Sequence, residues 1–213
     1  MLPFPTKSLG NHLRYVATRT WGFVIYRTTY TPYSHQRFPQ IVEILNSCIR
    51  SEIFTEYASY AYDIHGRPID CRALYDLIWA RHRPVIMDNP AKFNRISLEA
   101  VRSHFESWVG PEEDVDPNRQ TAQTHACLVV DEEVLNVLSD VKPLPEDVSV
   151  EYLMPATWWV KSVEAYPDLE DDPLEVWDGT LKVPIRGLWH FWKMVDDPAS
   201  MQELITKDGI YDV

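Results

Sequence analysis

A single segment near the start of the chain, Thr20 to Tyr30 (TWGFVIYRTTY), constrains the fold more than any other stretch. Side chains in a β-strand point alternately to the two faces of the sheet. Here both alternate sets are apolar or aromatic, and β-branched and aromatic residues favour an extended backbone. A strand that is apolar on both faces is typical of a central position in a sheet that is covered on both sides. The segment therefore predicts a buried central strand.

Arg27 is the charged residue of this strand, and it follows Ile25 on the same face. A guanidinium group at that position needs a carboxylate or a carbonyl group, or else it holds an anionic ligand, because an unpaired buried charge is costly. Two interpretations stay open at this point. Arg27 is either part of a structural ion pair or a ligand-binding residue.

The rest of the chain alternates between helical and extended patterns. Helical spacing of apolar residues begins at about 38, 70, 98, 131 and 186, with Ser34, Ser97 and Asp131 as predicted N-caps. Leu77 and Trp108 are predicted to face inward on the second and third of these helices, and Gly110 is predicted to end the third. Extended patterns cover 57–64, 125–130, 157–166 and 180–185. This order predicts an α+β sandwich, in which helices cover one face of a single mixed or antiparallel sheet. A ferredoxin-like kernel is one arrangement that fits.

The domain organisation predicted for the 213 residues is simple. Residues 1–19 form an arm, residues 20–195 form one domain, and residues 196–213 form a tail. Two acidic stretches, 111–123 and 168–178, are predicted to be loops. The first is the candidate domain boundary, but we reject it because the strands on both sides of it need partners.

Charge and cysteine content restrict the compartment and the partners. The net charge is −12, with +4 in residues 1–110 and −16 in residues 111–213. An acidic chain repels nucleic acid, so a nucleic-acid partner is not expected. Cys48, Cys71 and Cys127 form no CxxC motif, and the chain has no apolar run of membrane-spanning length and no apolar signal segment at its start. These features predict a reduced, cytoplasmic protein without a membrane partner.

The strong catalytic motifs GxGxxG, Walker A, GxSxG and HExxH are absent from the sequence. The best polar cluster is the turn DIHGR at 63–67, in which His65 could act as a general base with its tautomer fixed by Asp63. The alternative is a structural turn, with Asp70 capping the next helix. We predict no metal and no cofactor, because neither this cluster nor the acidic loop, with Pro173 at the EF-hand glycine position, matches a metal-binding pattern.

Aromatic residues provide a second kind of candidate site. Trp158 and Trp159, together with Trp189 and Trp192, could line an apolar pocket or could form ordinary core. Trp158 is our ligand-binding candidate from this group.

Two blocks of the sequence carry a family resemblance. The segment TWGFVIYRTTY and the pattern WWVKSVEAY, an acidic loop and LKVPIRGLWHFW resemble a large group of proteins from filamentous fungi. That group shares a WGFxIYRT strand near the start and a VKVPxRxLW segment near the end, over about residues 20–195. The resemblance implies a fungal, intracellular protein, but it carries over no activity and no site residue. Arg27 and Arg186 lie inside the two blocks, and Arg186 is a further ligand-binding candidate.

Two classes of function follow. The first is a binding module for a protein partner or a small ligand, favoured by the missing catalytic motifs and the uneven charge. The second is a metal-free, cofactor-free cyclase, isomerase or hydrolase acting on a small apolar molecule. In that enzyme Tyr26, Arg27 and the Asp63–His65 pair would act on the substrate in an aromatic cavity. A homodimer stays open in both cases.

Overall fold

The computed structural model describes residues 20–59, 72–111, 122–145, 154–167, 177–196 and 201–204. A five-stranded sheet in the order β2-β1-β3-β4-β5 lies at the centre. The strands are β1 (Val24–Arg27), β2 (Val85–Met87), β3 (Ala126–Val130), β4 (Trp159–Glu164) and β5 (Thr180–Pro184). The helices are α1 (Pro32–Ser59), α2 (Arg72–Ala80), α3 (Pro90–Phe93), α4 (Leu98–Val109), α5 (Ala122–His125), α6 (Glu132–Val137) and α7 (Leu188–Asp196). Two 3₁₀ segments span Ile185–Gly187 and Met201–Leu204.

The predicted central strand is confirmed. β1 pairs in parallel with β2 on one side and with β3 on the other, and all four of its residues are buried. Beyond β3 the sheet continues through the antiparallel strands β4 and β5. The ladder of β1 is shorter than the predicted segment, since only an isolated bridge between Trp21 and His82 extends it toward the amino end.

Helices cover both faces of the sheet, so the α+β class is confirmed but the expectation that helices cover one face is wrong. Phe23 and Ile25 of β1 belong to the larger core, which includes residues of α1, α2, α6 and α7. Val24 and Tyr26 belong to a second core, built with α3 and α4. The ferredoxin-like arrangement is also wrong, because helices rather than a hairpin connect β2 to β3, and these strands are not neighbours.

Helix α1 begins earlier than predicted. The Thr31 hydroxyl accepts a hydrogen bond from the Ser34 N–H group, while the Ser34 hydroxyl accepts one from the Thr31 N–H group. This reciprocal arrangement is a capping box, so Ser34 lies in the first turn rather than at the N-cap. Pro39 lies inside the helix. The same helix includes residues 57–59, where the sequence predicted a strand, and the remainder of that segment lies outside the described residues.

The sequence did not predict β2, which has only three residues. Gly22, just before β1, lets the residues that precede β2 lie close to it. A Cβ atom at Gly22 would be 2.9 Å from the carbonyl carbon of Arg83 and from the nitrogen of Pro84, and the φ angle of Gly22 is +139°. A residue with a side chain would therefore both clash and be strained at this position.

Helix α4 follows its sequence pattern closely. Its N-cap is Ser97 and its C-cap is Gly110, as predicted, and Val101 and Phe105 are buried. Trp108, which the spacing placed on the inward face, is instead 43% exposed, because it lies at the end of the helix beyond the sheet-facing turns. Leu77 of α2 was also predicted to face inward and is 42% exposed.

Candidate functional site at the carboxyl ends of the parallel strands

The chain leaves β1 and β2 toward opposite faces of the sheet. Helix α1, which follows β1, packs in the larger core, and helices α3 and α4, which follow β2, pack in the second core. In open α/β sheets, ligands bind outside the carboxyl ends of the strands, and the carboxyl ends of β1 and β2 form such a point here. Around that point lies a set of six residues, which we call the carboxyl-edge site: Tyr26, Arg27, Asp88, Lys92, Arg95 and His104.

Arg27 is held entirely by the protein. Its side chain is nearly buried, and its Nη1 atom lies 3.3 Å from Oδ2 of Asp88, whose side chain is 39% exposed. Nε donates to the Thr29 carbonyl oxygen and Nη2 to the Ser34 hydroxyl, each at 3.0 Å. The guanidinium group also lies 4.5 Å from the centre of the Tyr30 ring. These contacts hold the Arg27 side chain in one position at one side of the site, and Asp88 compensates its charge.

Tyr30 lies on the same side of the site as Arg27. Its hydroxyl donates to the Arg27 carbonyl oxygen at 3.0 Å. Burial, reinforced by the neighbouring Asp88 carboxylate, raises the pKa of Tyr30 to about 12. The hydroxyl therefore stays protonated at neutral pH and acts as a hydrogen-bond donor.

Tyr26 and His104 form a pair on the opposite face of the sheet. The Tyr26 hydroxyl lies 2.8 Å from Nδ1 of His104, and the Tyr26 ring is fully buried against Phe93 and Phe105. Burial raises the pKa of Tyr26 above its ordinary value, so the hydroxyl keeps its proton, and the direction of its hydrogen bond with Nδ1 is set by the His104 tautomer. With the Tyr26 hydroxyl as the donor, the neutral His104 ring carries its own proton on Nε2. Burial and the nearby Lys92 lower the pKa of His104, which keeps the ring neutral at pH 7.

Lys92 and Arg95 supply the uncompensated positive charge of the site. Both residues are exposed, and no carboxylate in the described part of the chain forms an ion pair with either. Arg95 has a φ angle of +58°, in the left-handed region that residues with a Cβ atom seldom adopt. Its N–H group donates to the Thr28 carbonyl oxygen at 2.8 Å. This bond fixes Arg95 directly beyond the carboxyl end of β1.

The structure brings some of the sequence candidates together and separates others. Tyr26 and Arg27 are both at the carboxyl edge, but their side chains lie on opposite faces of the sheet. Trp158 and Arg186 lie near each other elsewhere, where the Ile185 N–H group donates to the Trp158 carbonyl oxygen at 2.9 Å. Both of these side chains are half-buried. The catalytic candidates at 63 and 65 lie outside the described residues.

Sequence reasoning missed four members of the site: Asp88, Lys92, Arg95 and His104. Asp88 directly follows the apolar triplet Val85–Met87, and that triplet was the available signal for a strand with a polar residue at its carboxyl end. His104 could be placed only by knowing that α4 packs on the Tyr26 face of the sheet. No local pattern contains that information.

Comparison of the chain with protein-family models, with curated proteins and with solved structures finds no match. Within the described residues, no helix is both long enough and apolar enough to cross a membrane. Proposals about function therefore rest on the geometry and the charge of the carboxyl-edge site.

Proposed function

We propose that the chain is a binding module that holds a small anionic ligand, of the phosphate-ester class, at the carboxyl-edge site. The observation that carries this proposal is the position of Lys92 and Arg95. These two exposed cations have no carboxylate partner in the described part of the chain, and they flank the point where the connections of β1 and β2 separate. An anion held there would receive charge-assisted hydrogen bonds from both side chains.

The neighbouring residues support an anionic rather than a cationic ligand. Asp88 alone would repel an anion, but the Arg27 guanidinium group compensates its charge. With the Tyr26 hydroxyl donating to Nδ1, the proton of the neutral His104 ring lies on Nε2, and an N–H group at that position is a hydrogen-bond donor for a phosphate oxygen. The remaining charge of the site is therefore positive, in a chain whose net charge is −12.

Isothermal titration of the full chain with pyrophosphate at low ionic strength tests the proposal. We expect a single site whose affinity falls as salt is added, because salt screens the interaction between exposed charges. The double variant Lys92→Ala/Arg95→Ala should bind pyrophosphate at least about tenfold more weakly, since a hydrogen bond to a charged group contributes about 1.5–3 kcal/mol.

Lys142→Ala is the matched control, because Lys142 is an exposed lysine outside the site. This variant should bind pyrophosphate as the unmodified chain does. Equal affinities of the double variant and the unmodified chain would remove the carboxyl-edge site from consideration. Absence of binding at millimolar pyrophosphate would reject the anionic ligand class.

The other expectations from the sequence stay predictions. A small apolar ligand, a protein partner and a homodimer are all compatible with a binding module, and the enzyme alternative depends on Asp63 and His65, which lie outside the described residues. We also infer a cytoplasmic location. Cys48 and Cys127 are buried free thiols, and burial raises the pKa of both above the ordinary value, which supports unreactive, reduced cysteines.

A further inference from the structure

A cluster of aromatic rings lies at the amino end of β1, separate from the carboxyl-edge site. The centre of the Trp21 ring is 4.6 Å from that of His82, 5.2 Å from that of Trp189 and 5.4 Å from that of Trp192. His82 in turn stacks on Trp79, with ring centres 4.7 Å apart and planes 12° from parallel. We call these five residues the amino-end cluster.

Two ring nitrogens in the amino-end cluster are buried and have no hydrogen-bond partner among the residues that the structure describes: Nε2 of His82 and Nε1 of Trp192. The two residues are only 6% and 1% exposed. The other tryptophans at the centre of the cluster are satisfied, because Nε1 of Trp21 donates to the Ile78 carbonyl oxygen at 2.8 Å and Nε1 of Trp189 donates to the Glu56 carboxylate. Buried polar atoms are nearly always paired in native proteins, so two exceptions beside one ring require an explanation.

The two nitrogens have complementary chemistry. The indole N–H group of Trp192 is a donor only, whereas a neutral imidazole nitrogen can accept a hydrogen bond. Burial and the neighbouring Arg83 lower the pKa of His82 to about 4, so the ring is neutral at pH 7. The two rings contact the same ring of Trp21, so their centres are at most about 10 Å apart. A hydroxyl group that reached both nitrogens would satisfy both, because it can accept from an indole N–H group and donate to an imidazole nitrogen.

We propose that the amino-end cluster is a second binding site, which takes a small uncharged aromatic molecule that carries a hydroxyl group. The hydroxyl oxygen accepts from Nε1 of Trp192 and its proton is donated to Nε2 of His82, while the apolar ring packs against the surrounding aromatic side chains. A cationic ligand is disfavoured, because the carboxylates beside Trp189 are already bound: Glu56 by Lys193 and the Trp189 indole, and Glu52 by the backbone N–H groups of Trp189 and His190. Trp79 is the partly exposed member and marks the side nearest to solvent.

Thermal unfolding of the full chain with phenol and with toluene tests this assignment, since the two probes are similar in size and only phenol has a hydroxyl group. At equal millimolar concentration, phenol should raise Tm by about 3 °C and toluene by less than half as much. The variants His82→Phe and Trp192→Phe should lose the advantage of phenol and keep the response to toluene. Binding of pyrophosphate should not change in His82→Phe, which separates this site from the carboxyl-edge site.

Nuclear magnetic resonance of the unmodified chain provides a test that does not depend on the folding of either variant. In ¹⁵N-labelled protein, the Nε2 resonance of His82 should shift as phenol is added and should not shift with toluene. An Nε2 resonance that is unchanged at saturating phenol would overturn the proposal. Equal responses of Tm to phenol and toluene would also overturn it, and would assign the two nitrogens to an ordinary core or to a buried water molecule.

Discussion

Arg27 is a nearly buried cation at the carboxyl end of β1. Its place on an apolar face required a compensating group, and the structure provides one in Asp88, which is 61 positions away in the sequence. The requirement could be predicted because burying an unpaired charge is costly wherever it occurs. The identity of the partner could not, because Asp88 comes near only through the parallel pairing of β1 and β2.

Replacing Arg27 with lysine tests whether the planar guanidinium group, with its several hydrogen-bond donors, contributes to stability. Lysine keeps the charge but cannot reach Thr29, Ser34 and Asp88 together, so we expect the free energy of unfolding to fall by about 2 kcal/mol. Urea denaturation measures the change. The same substitution at the exposed Arg95 is the control and should stay within about 0.5 kcal/mol. Equal effects at the two positions would show that the contacts of Arg27 do not contribute to stability.

His82 gives a prediction about pH. Its pKa is about 4 in the folded chain, compared with 6.5 when it is solvated, so the unfolded chain binds the proton at higher pH. The contribution of a neutral His82 is present above pH 6.5 and is lost as the pH falls toward 4. Between about pH 7 and about pH 5 this amounts to about 2 kcal/mol in the free energy of unfolding.

Urea denaturation at the two pH values, in the unmodified chain and in His82→Phe, isolates the contribution of His82 to the pH dependence of stability. The loss of stability on acidification should be about 2 kcal/mol smaller in the variant. An identical loss in both chains would mean that His82 is protonated in the folded state as readily as in the unfolded one.

Individual elements could be predicted where local chemistry decides them. The N-cap residues Ser97 and Asp131 accept hydrogen bonds from the backbone N–H groups of Ala100 and Val134, as the sequence indicates. β3 and β5 also lie within their predicted segments. The start of α7 is different, because its N–H groups are bound by Glu52, a residue of α1 that is 137 positions away from Trp189. Such a distant cap leaves no local signal.

Glu52→Ala therefore tests whether the Glu52 carboxylate stabilises the start of α7. The Glu52 carboxylate accepts from the N–H group of Trp189, with both oxygens within 3.2 Å, and from that of His190 at 3.3 Å. Removing it leaves these groups without their acceptor, and we expect a loss of about 1–2 kcal/mol in the free energy of unfolding. Glu43→Ala, at an exposed position of the same helix, is the control. A loss at Glu52 no larger than that at Glu43 would contradict the capping role.

At the scale of the whole molecule, the apolar character of both faces of β1 predicted a covered central strand, but it could not predict the route of the chain. The carboxyl-edge site combines residues from β1, from the end of β2 and from α3 and α4, and it exists because two successive connections cross opposite faces of the sheet. That property belongs to the topology. No stretch of sequence short enough to show a pattern contains it.

The edges of the sheet oppose pairing with a second copy of the chain. β2 is three residues long and follows Pro84, while β5 ends at Pro184 and carries Lys182. Short edge strands, proline and lysine are features that limit edge-to-edge association of sheets. We therefore expect partners and ligands to bind at the carboxyl edge of the sheet rather than along its sides.

Chemical-shift mapping of the ¹⁵N-labelled chain during titration with pyrophosphate shows directly whether an anion binds at the carboxyl-edge site. We expect the largest amide shifts at Thr28, Lys92, Arg95 and His104, while the amides of Trp21 and His82 at the opposite end of β1 stay unchanged. Shifts that are concentrated away from the carboxyl edge, or an absence of shifts at millimolar pyrophosphate, would contradict this expectation.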